Sequence, residues 1–491
     1  HGIPEAMEQI LTNDSKIPLR VTFLKPASAA IAIGSGGPFG AEGPIIATGG
    51  ALGSVLGQLI HVTGTERKTL LAAGAAAGMA AIFGTPIAAV LIAVELLLFE
   101  YRARSVVPVA LASAAAAGLR VICHGDAACF AMPDLGAPSP ATAIVATGAG
   151  FIVGLASTYV TRLVYWIEDC FERLPIHWMW WPAIGAVAVG VIGYFFPHTL
   201  GVGYDNIETT LASGFPAHVL VGLVFAKFIS WAIALGSGTS GGTLAPLLTF
   251  GAGLGWLITY QVARFAPEWH LDPRVGALVG MTAMFAGASR ALLASIAFAL
   301  ESTQQIHAVV PIVSGVSLAY FASCLMMRTT IMTEKLVRRG VNVQGEYQVD
   351  PLAHVVARKI ASTDLRTLDA DMLVGDARAS VSHHQAYPVV RGGKLLGVVT
   401  TRELSTAAVD EKLERLIGRP PVVGFGHETA RALAERMARE DVGRIVIVDE
   451  DDETRAIGIV TRSDLLGAFA NKYEAEAAEG GSDAAPEHAH T

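Results

Sequence analysis

The sequence predicts an all-α polytopic membrane protein with inverted-repeat, discontinuous helices, followed by a small α/β cytoplasmic domain. Three observations support this fold class: the apolar composition, an internal repeat and a change of composition near residue 336. The chain has 491 residues, of which 52% are apolar and 16% are charged, whereas soluble domains carry about 25% charged residues. Residues 1–335 contain 34 Asp, Glu, Lys and Arg residues, and residues 336–491 contain 44.

Long apolar stretches fill the first part of the chain. They lie at residues 69–99, 105–123, 141–167, 178–196, 216–235, 244–264, 275–300 and 306–327. Several reach the roughly 20 residues that a helix needs to cross the hydrocarbon core. Others are interrupted by Gly and Pro, and broken helices occur at membrane depth only where protein or a polar cavity surrounds their backbone. The stretches predict a polytopic transporter or channel, with one helix over Ala81–Leu98.

An internal repeat makes this prediction more specific. Residues 34–53 (GSGGPFGAEGPIIATGGALG) align without gaps with residues 236–255 (GSGTSGGTLAPLLTFGAGLG), and eight of the twenty positions are identical. The same offset of 202 places residues 78–79 on residues 280–281, which are Gly-Met in both halves. Homologous halves with interrupted helices at matching positions place a substrate site between the halves, near the membrane midplane.

Both copies of the repeat have a Gly-rich turn followed by a short apolar helix. Glycine adopts positive φ and lets an ion approach the backbone amides closely. A helix N-terminus presents unpaired N–H groups at the positive end of the helix dipole. Two such N-termini from opposite halves would bind a dehydrated anion without a full positive charge. A phosphate-binding P-loop is excluded because no Lys-Ser/Thr pair follows the glycines.

Glu42 is the only charged residue in the first copy, and its partner in the second copy is Leu244. A carboxylate in the first turn of a helix is stabilised by the dipole, so N-terminal capping is one interpretation. Beside an anion path, the carboxylate resembles the substrate and would occupy an anion site itself. Protonation would then release it and open the path. We favour this gate over the cap because the surrounding loop carries no other charge.

These motifs resemble those of the CLC chloride channels and transporters. Residues 34–44 resemble the signature Gly-x-Gly-Gly-Pro-x-Gly-Arg-Glu-Gly-Pro of that family. Residues 236–246 resemble its second signature, and HGIPE at residues 1–5 resembles the end of its first. The resemblance covers nearly all of residues 1–340. It implies a homodimer in the lipid bilayer, with a separate path for chloride or another small anion in each subunit.

The resemblance also implies roles for individual residues. Glu42 falls on the external gating glutamate. The implied anion-binding residues are His1, Gly40, Ala41, Glu42, Gly43, Thr243 and Leu244. The amides of residues 40–43 match the outer anion site, those of residues 243–244 match the central site, and His1 replaces a serine on the inner side of the central site.

The chain departs from the family pattern at three places. Ala41 stands where the signature has Arg, and residues 328–332 lack the central-site tyrosine. Leu96 stands where the antiporters carry an inner proton-transfer glutamate, which favours a passive chloride channel gated by Glu42. The alternative is a proton-coupled chloride antiporter with another inner proton path, for which Glu95 and Glu100 are the candidates.

Other charged residues lie within or near the apolar stretches. Glu95 and Glu301 end helices in matching places of the two halves, four residues out of register. Two interpretations are equally favoured: the residues are functional acids, or they are helix ends that form hydrogen bonds. Lys227, Arg290 and Arg328 are expected at the membrane interface with snorkelling side chains.

The composition after residue 336 is that of a soluble domain. Residues 387–404 and 444–466 both fit the order strand, turn, strand and helix start, and Ala430–Arg439 fits an amphipathic helix. Residues 359–472 resemble a tandem CBS pair. The resemblance implies an adenosine-nucleotide site, and its contacts would be Thr400, Glu403, Thr461 and Asp464. A dimerising cytoplasmic plate without a ligand is the equally favoured alternative.

The predicted domains follow from these patterns. They are a CLC-type transmembrane anion-transport domain (1–340), a linker (341–358), CBS units (359–417 and 418–473) and a disordered tail (474–491). The chain begins without Met, and helices before residue 1 are expected to be missing. We expect the CBS pair in the cytoplasm and the first domain in the plasma (inner) membrane.

Other classes of function have less support. The net charge of −8 indicates no nucleic-acid surface, and the four cysteines form no strong metal motif. No catalytic triad, paired acid and base or cofactor loop is present, so we expect no enzyme. A CBS-regulated divalent-cation transporter is a more remote alternative because it needs several intramembrane carboxylates. A membrane-anchored energy sensor is equally remote.

Overall fold

A computed structural model describes most of the chain. The described residues are 2–341, 352, 355–381 and 386–468. The chain divides into two compact units, His1–Tyr347 and Gln348–Thr491. His1, most of the predicted linker and the whole predicted tail 474–491 lie outside the described residues.

The first unit consists of two similar sets of helices with two further helices between them. The first set is α1 (Ile3–Thr12), α2 (Leu19–Gly34), α3 (Glu42–Leu59), α4 (Gly64–Phe83), α5 (Pro86–Ile92) and α6 (Ala103–His124). The intervening helices are α7 (Pro140–Glu172) and α8 (Trp181–Phe195). The second set is α9 (Tyr204–Leu211), α10 (Ala217–Gly236), α11 (Leu244–Phe265), α12 (Pro273–Ser289), α13 (Leu292–Thr303) and α14 (Val309–Met326), and α15 (Glu334–Arg338) follows.

Shorter helical segments link these elements. A π-helical segment, Ala93–Leu98, continues α5, and four 3-10 turns lie at Trp178–Trp180, Pro197–Thr199, Pro267–Trp269 and Ile306–Ala308.

The two sets of helices pack in the same way. α3 packs on α4 and α4 on α6, while α11 packs on α12 and α12 on α14. Small residues allow these close contacts, as is usual in membranes: a Cβ on Gly49 would lie 2.2 Å from the carbonyl oxygen of Gly74. α5 and α13 pack against each other and join the two sets. The repeat in the sequence is therefore also a repeat in the structure, as the fold class predicts.

Five helices of the described chain are long and apolar enough to cross a membrane. They span Ala103–His124, Pro140–Glu172, Trp178–Phe195, Ala217–Gly236 and Ile306–Met326. The apolar segments Pro86–Leu98 and Leu292–Thr303 are shorter, which confirms the predicted discontinuous helices.

The single helix predicted over Ala81–Leu98 is wrong. α4 ends at Phe83, its cap Gly84 has a φ of 66°, and a new helix starts at Pro86. Glycine at a left-handed C-cap and proline at the first helical position both favour such a break.

The described part of the second unit contains two sheets of the same topology. The strands are β1 (Leu368–Asp369), β2 (Ala386–Arg391), β3 (Lys394–Thr400), β4 (Val423–Phe425), β5 (Arg444–Val448) and β6 (Ala456–Thr461). The helices are α16 (Ala357–Ile360), α17 (Val374–Ser380), α18 (Thr401–Thr406) and α19 (Ala430–Arg439), with a 3-10 turn at Leu413–Leu416. In each sheet the first pair of strands is parallel and the second is antiparallel. The predicted amphipathic helix is confirmed as α19, which buries Leu433 and Met437.

Candidate anion-transport site

The two glycine-rich turns meet where α3 and α11 begin. Gly40 and Gly242 occupy the same position in the two copies of the repeat and form an antiparallel bridge with each other. The N–H of Gly40 donates to Gly242 O at 3.2 Å, and the N–H of Gly242 donates to Gly40 O at 2.9 Å. Since each residue bonds to its own repeat partner, the bridge lies on the axis that relates the two halves.

Four helices of the first unit begin around this bridge. They are α1 at Ile3, α3 at Glu42, α9 at Tyr204 and α11 at Leu244. At none of these four N-termini does the N-cap side chain accept a hydrogen bond from the helix. Gly2 and Gly203 precede α1 and α9 with φ values of 73° and 84°, which residues with a Cβ rarely adopt. The first N–H groups of these helices therefore form an anion-attracting surface.

The Glu42 carboxylate occupies the space beside the bridge. The residue is completely buried, and its Oε1 accepts a hydrogen bond from the Tyr204 hydroxyl at 3.0 Å. A Cβ on Gly40 would lie 1.7 Å from Glu42 Oε2, and a Cβ on Gly242 would lie 2.9 Å from it. The backbone N–H groups of Glu42 itself and of Ala245 act on the same carboxylate, although Oε2 accepts no hydrogen bond of normal geometry. This position agrees with both the gate and the capping interpretation, and gating by Glu42 stays a prediction.

The other predicted anion-binding residues surround this carboxylate. A Cβ on Gly2 would lie 2.7 Å from Gly43 Cα, and a Cβ on Gly43 would lie 2.9 Å from Gly242 Cα. These approaches bring the starts of α1, α3 and α11 together. The residues assembled in this way are Gly40, Ala41, Gly43, Thr243 and Leu244. Their role in anion binding stays a prediction, and His1, which precedes Gly2, lies outside the described residues.

Tyr204 is a site residue that the sequence motifs did not identify. It is the first residue of α9 and comes directly after Gly203. A weaker signal was present, because Gly203 and Gly2 are 201 residues apart and each precedes the first helix of its set. The offset of 202 that aligns the glycine-rich turns does not align these two helix starts.

Lys227 of α10 is completely buried, so its expected position at the membrane interface is wrong. Its Nζ donates to the carbonyl oxygens of Thr199 and Gly201 at 3.2 and 3.0 Å. A charged side chain is buried only when its hydrogen-bonding groups are satisfied, and these carbonyls belong to the loop that leads into α9. Lys227 therefore fixes the loop that positions Tyr204.

Glu95 and Glu301 bind the opposite half of the repeat. The two carboxylate oxygens of Glu301 accept the N–H groups of Ile87 and Ala88 at 2.9 and 2.8 Å, in the first turn of α5. Glu95 accepts two N–H groups of the first turn of α13, each at 3.0 Å. A carboxylate at a helix N-terminus is stabilised by the dipole and the unpaired amides. This geometry supports the interpretation of both residues as hydrogen-bonding helix ends, and proton transfer by Glu95 stays a prediction.

Glu100 lies just beyond the π-helical segment. Its Oε1 accepts a hydrogen bond from Ser105 Oγ at 2.7 Å, and its Oε2 lies 3.6 Å from Arg102 Nε. Leu96, which is predicted to stand at the position of the antiporters' inner proton-transfer glutamate, is buried. The role of this position in a proton path stays a prediction.

Comparison with known families identifies the first unit. The model of the family described as "Voltage gated chloride channel" matches residues 1–324, which is about two thirds of the chain. The chain belongs to this family. The model of the CBS domain matches residues 357–410 and 413–471, so the voltage gated chloride channel unit is followed by a tandem CBS pair.

Relatives of the voltage gated chloride channel unit carry the name H(+)/Cl(-) exchange transporter ClcA. The protein of Vibrio cholerae serotype O1 (strain M66-2) is 28% identical over 331 residues, which cover 64% of this chain and 70% of that protein. The Salmonella agona (strain SL483) protein is also 28% identical, with 65% and 70% covered. The Klebsiella pneumoniae (strain 342) protein is 28% identical over 332 residues, with the same coverage.

Solved structures of the same family share the fold. A slow cyanobacterial Cl-/H+ antiporter has a TM-score of 0.63 at 24% identity and covers 70% of this chain and 82% of its own. A eukaryotic CLC transporter has a TM-score of 0.59 at 21% identity and covers 94% and 84%. A CLC-type fluoride/proton antiporter has a TM-score of 0.56 at 22% identity, with 65% and 80% covered. These similarities confirm the predicted fold class.

The four candidate nucleotide contacts form two helix caps. Thr400 Oγ1 accepts the N–H of Glu403 at 3.2 Å, while Glu403 Oε2 accepts the N–H of Thr400 at 2.7 Å. Thr461 and Asp464 repeat the arrangement, with distances of 3.3 and 2.7 Å. A reciprocal cap satisfies two otherwise unpaired donors, so these residues have a structural role in addition to any binding role.

A polar cavity of about 430 Å³ lies beside the first cap. Its lining includes Thr400, Glu403, Arg419 and Arg444. Thr461 and Asp464 are absent from this lining, so the structure does not bring the four candidates into one described cavity. Among the described residues, no group of three or more His, Cys, Asp and Glu side chains is placed to hold a metal ion.

Proposed function

We propose that this chain is a chloride/proton exchanger in which Glu42 alternates between the amide-lined site and a protonated, displaced position. One observation carries the proposal: the Glu42 carboxylate is completely buried beside the bridge that joins the two halves. A carboxylate and a chloride ion then compete for the same space. Anion movement is thereby coupled to protonation of Glu42, and the exchange activity named for relatives at 28% identity supports this assignment.

The inner proton path is proposed to use Glu100. Glu95 holds two N–H groups of α13, and its protonation would weaken this contact between the two halves, because a protonated carboxyl has only one oxygen that accepts as well as before. The described partners of Glu100 are the Ser105 hydroxyl, the Arg102 guanidinium and the Lys68 ammonium. All three belong to the same half as Glu100, so its protonation would leave the contacts between the halves intact. Chloride moves past Glu42 in this scheme while protons leave by the separate path at Glu100.

A passive chloride channel is the second candidate function. The buried Leu96 favours it, because an apolar side chain stands where an inner carboxylate would accept protons. In the channel, Glu42 opens and closes the path without moving protons across the membrane.

Flux measurements on the full chain in proteoliposomes distinguish the two functions. A chloride gradient is imposed, and chloride efflux and external pH are recorded together. We expect protons to move against their gradient in wild type, and Glu42→Gln to keep chloride flux while it abolishes proton movement. Glu268→Gln, the same change at an exposed position, is the matched control. Chloride flux without uphill proton movement in wild type would refute exchange and support the channel.

The inner path is tested in the same vesicles. Glu100→Gln is expected to reduce proton movement and leave chloride flux intact, whereas unchanged proton coupling would remove Glu100 from the path. Glu95→Gln separates the two candidate acids, because loss of proton coupling in a folded protein would assign the path to Glu95 instead.

We further propose a homodimer in the plasma (inner) membrane with the CBS pair in the cytoplasm. Family membership supports the dimer and the membrane location, and the charged composition of the second unit supports the location of the CBS pair. Chemical cross-linking in native membranes tests the dimer, and protease accessibility in spheroplasts tests the orientation. If the cross-linker yields only a species of monomer mass, the result would contradict the dimer.

An adenosine nucleotide is the proposed ligand of the CBS cavity. Arg419 and Arg444 offer two guanidinium groups, which suit phosphates, and the Glu403 carboxylate can accept bonds from a ribose diol. Calorimetry with ATP and AMP on the full chain tests binding, with Arg419→Gln as the variant expected to weaken it. If neither nucleotide produces a heat of binding, the result would support the alternative, in which the CBS pair is a dimerising cytoplasmic plate without a ligand. Thr461 and Asp464 stay predicted nucleotide contacts of the CBS pair, outside the lining of this cavity.

A further inference from the structure

Tyr204 is the only described side chain that hydrogen-bonds to the Glu42 carboxylate. We propose that its hydroxyl is a positioning donor that binds Glu42 when the site is closed and the transported anion when Glu42 has left. This inference rests on the proposed function, in which Glu42 leaves the site. It assigns a hydroxyl ligand to a chain that lacks the central-site tyrosine of its family.

The Tyr204 ring is held rigidly. It contacts the rings of Phe83 and Phe130, each with a centroid separation of 5.8 Å in an edge arrangement. Such aromatic contacts are specific in geometry. The packing of Phe83 and Phe130 on the Tyr204 ring therefore fixes the direction of the hydroxyl, which points to Glu42 Oε1.

The backbone that carries Tyr204 is held as firmly as its ring. Lys227 binds two carbonyls of the preceding loop, and the Asn206 side-chain amide donates to His198 O at 2.7 Å. The Gly201 N–H donates to Gly36 O in the first glycine-rich turn at 3.2 Å. These bonds tie the start of α9 to the turn that precedes Glu42, so the donor keeps its position when the carboxylate moves.

The buried hydroxyl needs an acceptor in both states. A buried donor without a partner loses the free energy of a hydrogen bond, and bonds to charged acceptors are the stronger ones. When the Glu42 carboxylate leaves, its place beside the helix N-termini becomes available to an anion. The hydroxyl then donates to that anion, and the same group stabilises the closed and the occupied states.

The other ionisable groups near Glu42 are few. Cys129, in the loop between α6 and α7, interacts electrostatically with Glu42, and Arg120 and Glu208 act on Cys129 in turn. Tyr204 is the described side-chain donor to the carboxylate, and the backbone N–H groups of Glu42 and Ala245 act on it as well. The Tyr204 hydroxyl favours the ionised carboxylate in the closed position because an ionised carboxylate is an acceptor for O–H groups.

Tyr204→Phe tests the proposal because it removes the hydroxyl and retains the ring. Chloride flux is measured in proteoliposomes from pH 4 to pH 8, which reports on Glu42 release whether or not protons are transported. The closed state loses its donor, so the pH of half-maximal flux should rise by about one unit, which corresponds to a tenfold change in the protonation equilibrium. Tyr194→Phe, at an exposed tyrosine, should leave the profile unchanged.

A binding measurement tests the second half of the proposal. Calorimetric titration with chloride compares purified Glu42→Gln with the double variant Glu42→Gln, Tyr204→Phe, and we expect about tenfold weaker binding in the double variant. This measurement needs folded protein but no flux. An unshifted pH profile, or equal chloride affinities, would overturn the proposal. Chloride flux without proton movement in wild type would refute the proposed chloride/proton exchange. It would not refute the role of Tyr204, because neither the pH profile nor the chloride titration depends on proton transport.

Discussion

The two halves of the membrane unit have the same backbone at the site and different side chains. Gly40 and Gly242 are repeat partners that bond to each other, yet the next helix starts with Glu42 in the first half and with Leu244 in the second. The symmetric backbone supplies N–H groups from both sides. The single carboxylate supplies the asymmetry, so under the proposed function one half would bind the anion and the other would both bind and close.

The halves also differ in length near the end of the fourth helix of each set. The offset between them is 202 residues at the glycine-rich turns and 206 at the cross-half caps, where Ile87 matches Leu293 and Glu95 matches Glu301. The left-handed caps Gly84 and Arg290 have the longer offset. Four residues are close to one α-helical turn, so α12 continues about one turn further beyond its Gly-Met pair (residues 280–281) than α4 does beyond residues 78–79, and the symmetric caps are preserved.

The largest effect on chloride flux is expected when both halves carry a glutamate at the start of the helix that follows the glycine-rich turn. Leu244→Glu would place a second carboxylate at the buried start of α11, beside Glu42 and in the anion space. Like charges in a buried site repel strongly, and the anion would lose its place. We expect chloride flux to disappear. Leu244→Gln, which adds the same bulk without charge, is the control, and flux at the wild-type level in folded Leu244→Glu would contradict the shared site.

The bridge glycines should respond differently to the same substitution. The three atoms nearest to a Cβ on Gly40 all belong to the Glu42 carboxylate, with Oε2 at 1.7 Å, whereas the atom nearest to a Cβ on Gly242 is the backbone oxygen of Gly40, at 2.5 Å. Gly40→Ala should therefore displace the carboxylate and raise chloride flux several-fold at neutral pH. Gly242→Ala should separate the two backbones and lower the melting temperature. Gly34→Ala, where a Cβ has open space, is the control, and three equal responses would refute this distinction.

The two cross-half caps should contribute equally. Glu95→Ala and Glu301→Ala each leave two N–H groups of a helix start without a carboxylate, and hydrogen bonds to charged groups are worth about 1.5 to 3 kcal/mol. Each variant should therefore lower the free energy of unfolding by about that amount. Thermal unfolding in detergent measures the effect. A large loss from Glu301→Ala with none from Glu95→Ala would show that the caps are not equivalent.

The smallest effect is expected in the CBS pair, whose two sheets share a topology but not their surface charges. Lys412 and Arg391 lower the pKa of Asp371, and Arg391 lowers the pKa of Glu414. Groups with a lowered pKa stabilise the fold above their ordinary pKa of about 4 and lose that contribution as the pH falls through the folded value. All four side chains are exposed, so salt weakens the effect.

Arg391→Gln removes the centre of this cluster. We expect a small decrease in the melting temperature of the full chain at pH 7, which shrinks below about pH 4 and in 1 M salt, where screening is strong. Arg402→Gln, at another exposed position, should have no effect at either pH. A decrease that persists at pH 3 would assign the role of Arg391 to packing rather than to charge.

Much of the candidate site could be predicted from particular residues. The glycine-rich turns, the helix starts at Glu42 and Leu244 and the single acid are local features, and the gapless repeat indicated that the two turns belong to one site. The amphipathic helix Ala430–Arg439 was predicted with its correct bounds. The helix over Ala81–Leu98 was not, because the apolar pattern continues across Gly84 while the backbone does not.

Contacts between distant segments could not be predicted. Tyr204 is 162 residues from Glu42, and no periodicity relates them. Lys227 looked like an interfacial residue because hydropathy does not reveal which carbonyls a loop will present to it. Glu95 and Glu301 were ambiguous because their acceptor role depends on a helix start about 200 residues away.

The sequence by itself determined the membrane class, the two-fold repeat, the family and the one ionisable group at the centre of the site. These properties depend on composition and on local backbone preferences, which short segments carry by themselves. The tertiary structure decided that Gly40 bonds to its own repeat partner, that the Glu42 carboxylate meets Tyr204, and that each half caps a helix of the other. Those outcomes depend on which polar groups are brought together in a buried space, where each must find a partner.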